Sequence, residues 1–305
     1  MGNATPLPFK AISINGQLFE GPDMALAQIS PADRGLLLGD GLFETLPVLK
    51  GQALLWDRHR SRLMTAADTI GLALKADQLD GIVSQMERAS DETPSILRLT
   101  VTRGIGGRGL LPPNPASPTI MATLAPLSLG FPFQDVRLVT SQIRRNEASP
   151  TSTIKALAYL DNILATKEAE AKGAGDALLL NSAGRVASTT IGNLFMVQGN
   201  HLITPPITDG VLPGILRQVL LEEAPKLGLV AEERSIDPAE LKKADGLFLT
   251  NSLRIIRRVT RLDGASLGLE LSPEGPASTD IIVRLQMHMQ HLIKELTGVS
   301  YGQLP

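Results

Sequence analysis

Two hydrophobic periods divide the chain. Residues 10–20 (KAISINGQLFE) and 95–104 (SILRLTVTRG) are short, β-rich and bounded by glycine, and they predict strands. Residues 55–74 (LWDRHRSRLMTAADTIGLAL) and 76–90 (ADQLDGIVSQMERAS) carry apolar side chains at helical spacing and predict helices. Residues 119–127 (TIMATLAPL) return to strand. Further on, 136–143 (VRLVTSQI) reads as strand and 151–171 as a loop followed by an alanine-rich helix. Residues 176–205 read as successive short strands, with NSAG and QGN as hairpin-turn compositions. A helix over 214–228, a strand over 244–253 and a closing helix over 278–298 complete the pattern.

Residues 125–135 (APLSLGFPFQD) hold two prolines and a glycine between two strand-like runs. They predict a linker between an N-terminal domain, 1–124, and a C-terminal domain, 136–305. Two α+β domains with a cleft between them fit this order of elements.

Composition narrows the function. Of 305 residues, 43% are apolar and 20% charged, which is globular composition. The net charge is −2, without the basic excess that a phosphate backbone demands, so nucleic acid is not an expected partner. Cysteine is absent, which removes disulfides, thiolate nucleophiles and cysteine-bound zinc. Of four histidines, His288 and His291 stand three apart with no acidic residue beside them in sequence, and they read as helix surface rather than as metal ligands. No apolar run reaches the roughly 20 residues of a membrane span, and none at the N-terminus resembles a signal peptide. A cytoplasmic protein is expected.

The candidate chemistry begins at Lys155, set just before the alanine-rich helix and four residues from Tyr159, one of two tyrosines. A lysine acts as a nucleophile when it forms a Schiff base with a carbonyl, and pyridoxal 5′-phosphate is the common cofactor of that chemistry. Such a site needs a cradle for the phosphate. Arg62 in HRSRL offers a fork of donors. Gly214, Ile215 and Leu216 in LPGIL stand at a predicted helix N-terminus, where free amides favour an anion. Ser252 in LTNSL offers a hydroxyl.

Order strengthens these separate signals. DRGLLLGDGLFET, HRSRL, TRGIGGRGL, IKALAYLDNILATKEA, GDALLLNSAGRVASTTIGNLF, LITPPITDGVLPGILR and LFLTNSL follow one another along the chain. The string resembles the class IV aminotransferases, the fold type IV enzymes that use pyridoxal phosphate. That family includes branched-chain and D-amino-acid aminotransferases, (R)-selective amine transaminases and aminodeoxychorismate lyase. The resemblance runs from about Ile12 to Val259. It implies a two-domain α+β fold with the cofactor in the interdomain cleft, and a homodimer. It implies Lys155 as the Schiff-base lysine, Arg62, Ile215, Leu216 and Ser252 as phosphate ligands, and Tyr159 beside the ring oxygen. It implies transfer of an amino group between a small amino acid or amine and a 2-oxo acid.

The chain departs from the family at one informative place. The family carries a glutamate in a G-x-V-x-E strand, paired with the pyridine nitrogen. Here the strand is GRVASTTIGNLF, and Ser188 stands at that position, with no Asp or Glu from Gly184 to Phe195. A hydroxyl can bond the nitrogen without keeping a proton on it. Three readings follow: a transaminase of modest rate, a lyase that releases pyruvate and 4-aminobenzoate from aminodeoxychorismate, or a protein that binds the cofactor without catalysis. On the substrate side, Leu38 and Phe43 are expected to face the cleft, Glu44 is ambiguous, and Asp40 reads as part of a turn. Arg103 and Arg108, in a glycine-rich loop, are candidates for a substrate carboxylate. Pro47 stands where branched-chain enzymes tend to carry an arginine, which lowers that option.

Overall fold

The computed structural model describes residues 8–267 and 280–302. The chain forms two compact units. The first runs to Leu129 and takes in Lys155–Ala158 and Glu295–Val299; the second holds Gly130–Ile154, Tyr159–Lys294 and the chain from Ser300. The change of unit at Leu129/Gly130 falls inside the proline-rich segment 125–135.

Unit 1 is an antiparallel sheet of β1 (Ala11–Ile14), β2 (Gln17–Glu20), β3 (Gly41–Leu49), β4 (Gln52–Ala53), β5 (Ser95–Thr102) and β6 (Thr119–Pro126). The strand order is β2-β1-β6-β5-β3-β4. Three helices accompany it: α1 (Arg34–Leu38), α2 (Trp56–Thr69) and α3 (Ala76–Ala89). In α3 the buried residues Leu79, Ile82, Val83 and Met86 follow the i, i+3, i+4, i+7 stripe. On the sheet, Leu42, Leu46, Leu97, Leu99 and Leu124 are fully buried as well. Fully burying one such side chain contributes roughly 1.5–3 kcal/mol.

Strand β3 was not apparent in the sequence. It is buried on both faces, so its residues do not alternate, and it contains Pro47. The proline is tolerated because it lies past the β4 pairing at Val48 and Leu49, on the side where its carbonyl accepts from the Leu54 amide (2.9 Å) and no ladder bond needs its nitrogen.

Unit 2 is a mixed sheet of β7 (Val136–Arg145), β8 (Asp176–Asn181), β9 (Val186–Thr189), β10 (Asn193–Gln198), β11 (His201–Thr204), β12 (Val230–Glu233), β13 (Gly246–Asn251), β14 (Ile255–Leu262) and β15 (Ala265–Ser266). The order is β12-β11-β10-β13-β14-β7-β8-β9, with β15 beside β14. Strand β10 also touches β9, so the sheet curls on itself. The inside of the curl is apolar, lined by Leu178, Val186, Leu194, Leu247, Leu249 and Val259. On the outside, α4 (Leu160–Ala171) lays the small faces of Ala165 and Ala169 against Val139, Ala177 and Leu179. Helices α5 (Ile215–Glu223) and α6 (Ile281–Thr297) complete the unit, α6 up to Lys294. His288 of α6 meets an acidic partner that sequence order hid: its Nε2 lies 2.9 Å from Glu223 Oε2. No helix among the described residues is long and apolar enough to cross a membrane.

Candidate functional site

Lys155 lies among unit 2 residues in chain order, yet it packs with unit 1. The Phe43 amide donates to the Lys155 carbonyl (3.0 Å), and the Leu157 amide donates to Gly41 O (3.0 Å). Leu42 and Ala156 form the bridge between these bonds, so residues 155–157 line the start of β3 as a short antiparallel ribbon. Gly41 permits this approach. A Cβ there would stand 2.4 Å from Val101 O and 2.8 Å from the Leu157 side chain. The register places Lys155 opposite Phe43, and its Nζ lies 4.3 Å from the centroid of the Phe43 ring. The Arg98 guanidinium lies 3.8 Å from the same centroid. Sequence reasoning missed Arg98. The signal was present, because Ile96, Arg98, Thr100 and Thr102 occupy alternate positions of one strand.

The next residue of β3 points the other way, toward α2. Glu44 is fully buried and accepts from Arg62 Nε at 2.9 Å and Arg62 Nη2 at 2.5 Å. Its other contact is His59 Nδ1 at 2.7 Å. Burial alone would push the Glu44 carboxyl up; the Arg62 charge and the His59 hydrogen bond outweigh it and hold it at about 2. Burial also lowers the His59 pKa, more than Glu44 raises it. His59 is therefore neutral, with its proton on Nδ1 to satisfy an ionised carboxylate. The candidate phosphate arginine is thus held by two of its nitrogens from behind, in one orientation. The ambiguous Glu44 of the sequence is its anchor.

The three remaining substrate-side candidates differ in burial. Arg103 is buried, and each of its nitrogens has an acceptor: Nε bonds Asp40 (2.8 Å), Nη1 bonds Gly71 O (3.0 Å) and Nη2 bonds Ile70 O (2.8 Å). Asp40 binds Arg34 as well (2.8 Å), and these two arginines hold its carboxyl below the usual range against the effect of burial. Arg103 is thus held in the loop by acceptors on all three of its nitrogens. Arg108 is exposed, and so is Leu38.

Unit 2 carries the other candidate ligands. Helix α5 starts at Ile215 with Gly214 as its cap residue, which has no side chain to cap the first amides. A Cβ on Gly214 would lie 1.9 Å from Asn193 Oδ1, so any other residue would displace the Asn193 side chain. Asn193 also donates through Nδ2 to Leu212 O (2.9 Å), and in the ladder it stands opposite Thr250, two residues before Ser252. One asparagine, not noticed in the sequence, thereby ties the loop before α5 to the strand that leads into Ser252.

Ser188, in β9, is buried, and its Oγ has no hydrogen-bond partner among the described residues. A buried hydroxyl left unsatisfied is costly unless something else bonds it. Tyr159 caps the start of α4. Near it, Arg145 donates to Gly210 O (2.8 Å) and Ser152 O (2.6 Å); burial lowers its pKa, opposed by nearby Tyr159 and Asp161.

Each unit carries features that suit part of a phosphorylated pyridine. In unit 2, helix amides after a bare glycine suit a phosphate and an unpartnered buried hydroxyl suits a ring nitrogen; in unit 1, an oriented guanidinium suits an anion. Among the described residues no cluster of histidine and acidic side chains could hold a metal ion.

The chain is similar to known proteins over most of its length. The family described as amino-transferase class IV matches residues 41–262. A protein of Methanocaldococcus jannaschii, provisionally named a branched-chain-amino-acid aminotransferase, is 32% identical over 256 residues, covering 83% of this chain and 88% of its own. The aminodeoxychorismate lyase of Bacillus subtilis is 28% identical over 297 residues, covering 95% of this chain and 98% of its own. The crystal structure of 4-amino-4-deoxychorismate lyase from Pseudomonas aeruginosa superposes with a TM-score of 0.77 at 30% identity, covering 87% of this chain and 95% of that one. The fold is the fold type IV architecture expected, and the chain belongs to the class IV aminotransferase family.

Proposed function

We propose that the protein is a pyridoxal 5′-phosphate-dependent aminotransferase that moves an amino group between a small amino acid or amine and a 2-oxo acid, with Lys155 as the reacting lysine. The observation that carries this reading is the Lys155 ribbon on β3, which sets a primary amine over the Phe43 ring, a ring that Arg98 also approaches. When bound, the cofactor supplies an electron-poor ring that accepts the electron pair released at the amino-acid Cα. Lys155 holds the proton that moves at that carbon. Arg62, oriented by Glu44, and the Gly214–Leu216 amides bind the phosphate together with Ser252. Tyr159 stands by the ring oxygen. Arg98 replaces Arg103 as the arginine for the substrate carboxylate, since Arg103 is held elsewhere.

A second reading keeps the same residues and ends in a lyase. The unpartnered Ser188 hydroxyl favours it: with no carboxylate at the ring nitrogen, the ring withdraws electrons less strongly, and loss of a leaving group competes with amino transfer. One experiment separates the two. Mixed with an amino donor and no acceptor, the loaded transaminase releases one 2-oxo acid per bound cofactor and stops, whereas the lyase turns over aminodeoxychorismate to pyruvate and 4-aminobenzoate without an acceptor. Lys155→Ala abolishes either reaction. Ser188→Glu raises the single-turnover rate of amino transfer. If neither substrate gives product, the protein is a cofactor binder without catalysis. If Ser188→Glu changes neither rate nor absorbance, Ser188 does not face the ring nitrogen.

The assembly proposed is a homodimer. Leu36, Leu37, Ile105, Leu110 and Leu111 are exposed on unit 1, an apolar surface that a second copy would cover.

A further inference from the structure

The second tyrosine has no part in the reaction as read so far. Tyr301 is completely buried near the end of the described chain, and its hydroxyl donates to Leu253 O at 2.8 Å. Leu253 belongs to the turn between β13 and β14, beginning at Asn251 and ending at Ile255, and Ser252 is in that turn. The turn is held from several directions within unit 2. Asn251 Oδ1 accepts from the Leu253 amide (3.0 Å) and the Arg254 amide (2.8 Å). The Phe133 amide donates to Arg254 O (3.1 Å), and the Arg254 guanidinium lies 3.2 Å from the centroid of the Phe131 ring. The tail carrying Tyr301 is itself fixed: Gln290 Nε2 donates to Gly302 O (2.5 Å), and a Cβ on Gly302 would meet the Phe133 ring at 2.5 Å.

The turn needs this support. Ile255 is a buried β-branched residue with φ +58°, a left-handed conformation that β-branched side chains disfavour. Such a conformation persists only where its surroundings impose it. Removing one outside bond allows the turn to relax and the Ser252 hydroxyl to drift.

We propose that Tyr301 is a positioning residue of the cofactor site: its hydroxyl, through the Leu253 carbonyl, fixes the turn that presents Ser252 to the phosphate. This rests on the reading of Ser252 as a phosphate ligand. The test is equilibrium binding to the cofactor-free protein, measured with pyridoxal 5′-phosphate and with pyridoxal, which has no phosphate, for wild type, Tyr301→Phe and Ser252→Ala. Phenylalanine keeps the buried ring and removes one hydrogen bond. Tyr301→Phe is expected to weaken pyridoxal phosphate roughly 3- to 10-fold, the size of one hydrogen bond, and to leave pyridoxal within about 2-fold. A loss shared equally by both ligands, no loss for either, or a variant that fails to fold overturns the proposal, because Tyr301 then acts on the fold or not at all. Ser252→Ala separates the two readings. If it leaves phosphate selectivity intact while Tyr301→Phe lowers it, Ser252 is not the ligand and Tyr301 positions the turn by its backbone. If Ser252→Ala lowers it and Tyr301→Phe does not, Ser252 stands and the role of Tyr301 falls.

Discussion

Glu44 shows how one buried charge serves both stability and a binding site. Its carboxylate is removed from water, which costs free energy, and is compensated by Arg62 and by the proton of neutral His59. Its folded pKa of about 2 lies below the value of about 4.3 expected in the unfolded chain. The sign follows from proton binding. Between those values the unfolded state holds more protons, so the stabilisation is complete above about pH 4.3 and is lost as pH falls toward 2. The pKa difference corresponds to about 3 kcal/mol. Glu44→Gln should cost about 3–5 kcal/mol at pH 7, because it leaves the Arg62 charge uncompensated. In guanidinium unfolding, the gap between wild type and variant should narrow steadily between pH 4.5 and pH 2.5. A gap independent of pH would mean that shape, not charge, is what Glu44 contributes. None of this was readable in GLFET. The partners lie 15 and 18 residues away on α2, and only the facing of β3 toward that helix makes them neighbours.

At the scale of elements, the lysine is placed by backbone rather than by its own side chain. The ribbon 155–157 is joined to β3 through main-chain bonds at Phe43 and Gly41. Lys155→Ala should therefore leave the unfolding midpoint nearly unchanged, within the about 0.5 kcal/mol typical of sites outside the core, while activity is lost. Gly41→Ala should do the opposite kind of damage. Its Cβ would collide with Val101 O and the Leu157 side chain, so thermal stability and cofactor binding should fall together, with an overpacking cost of about 1–3 kcal/mol. Equal midpoints for Gly41→Ala and wild type would show that the ribbon can move away. Elements with a clear period were legible in the sequence: α3 shows its stripe, and the hairpins of 176–205 show their turns. Strand β3 was not, since burial on both faces removes alternation, and neither was β14, where three arginines at 257, 258 and 261 interrupt the apolar pattern. The candidate site divides the same way. Lys155, Gly214 and Ser188 are marked by motif order. Arg98, Asn193 and Tyr301 acquire meaning only when pairing brings distant segments together. Arg103 looked available because its acceptors, the carbonyls of Ile70 and Gly71, lie more than thirty residues away.

For the molecule as a whole, the unusual feature is apolar surface outside the core. Helix α1 and the loop after β5 are fastened together: Arg34 donates to Gly109 O (3.0 Å) and Leu110 O (2.8 Å), and the Gly106 amide donates to Ala32 O (3.3 Å). This fastening is what keeps leucines outward. Leu110 is 82% and Leu111 is 90% exposed, beside exposed Leu36, Leu37 and Ile105. Chain entropy does not require such side chains to stay in water, because a free loop could fold them back; here arginine and backbone bonds hold the loop open. Water contact at that surface carries roughly 25 cal/mol per Å² of apolar area, so a complementary surface on a second copy gains what the monomer forgoes. Leu110→Ser together with Leu111→Ser should leave each chain folded, since neither residue packs in its own core, and should lower the mass measured by light scattering from two chains toward one. A wild-type mass of one chain would end the homodimer reading. A dimer that survives the double substitution would place the contact on another face.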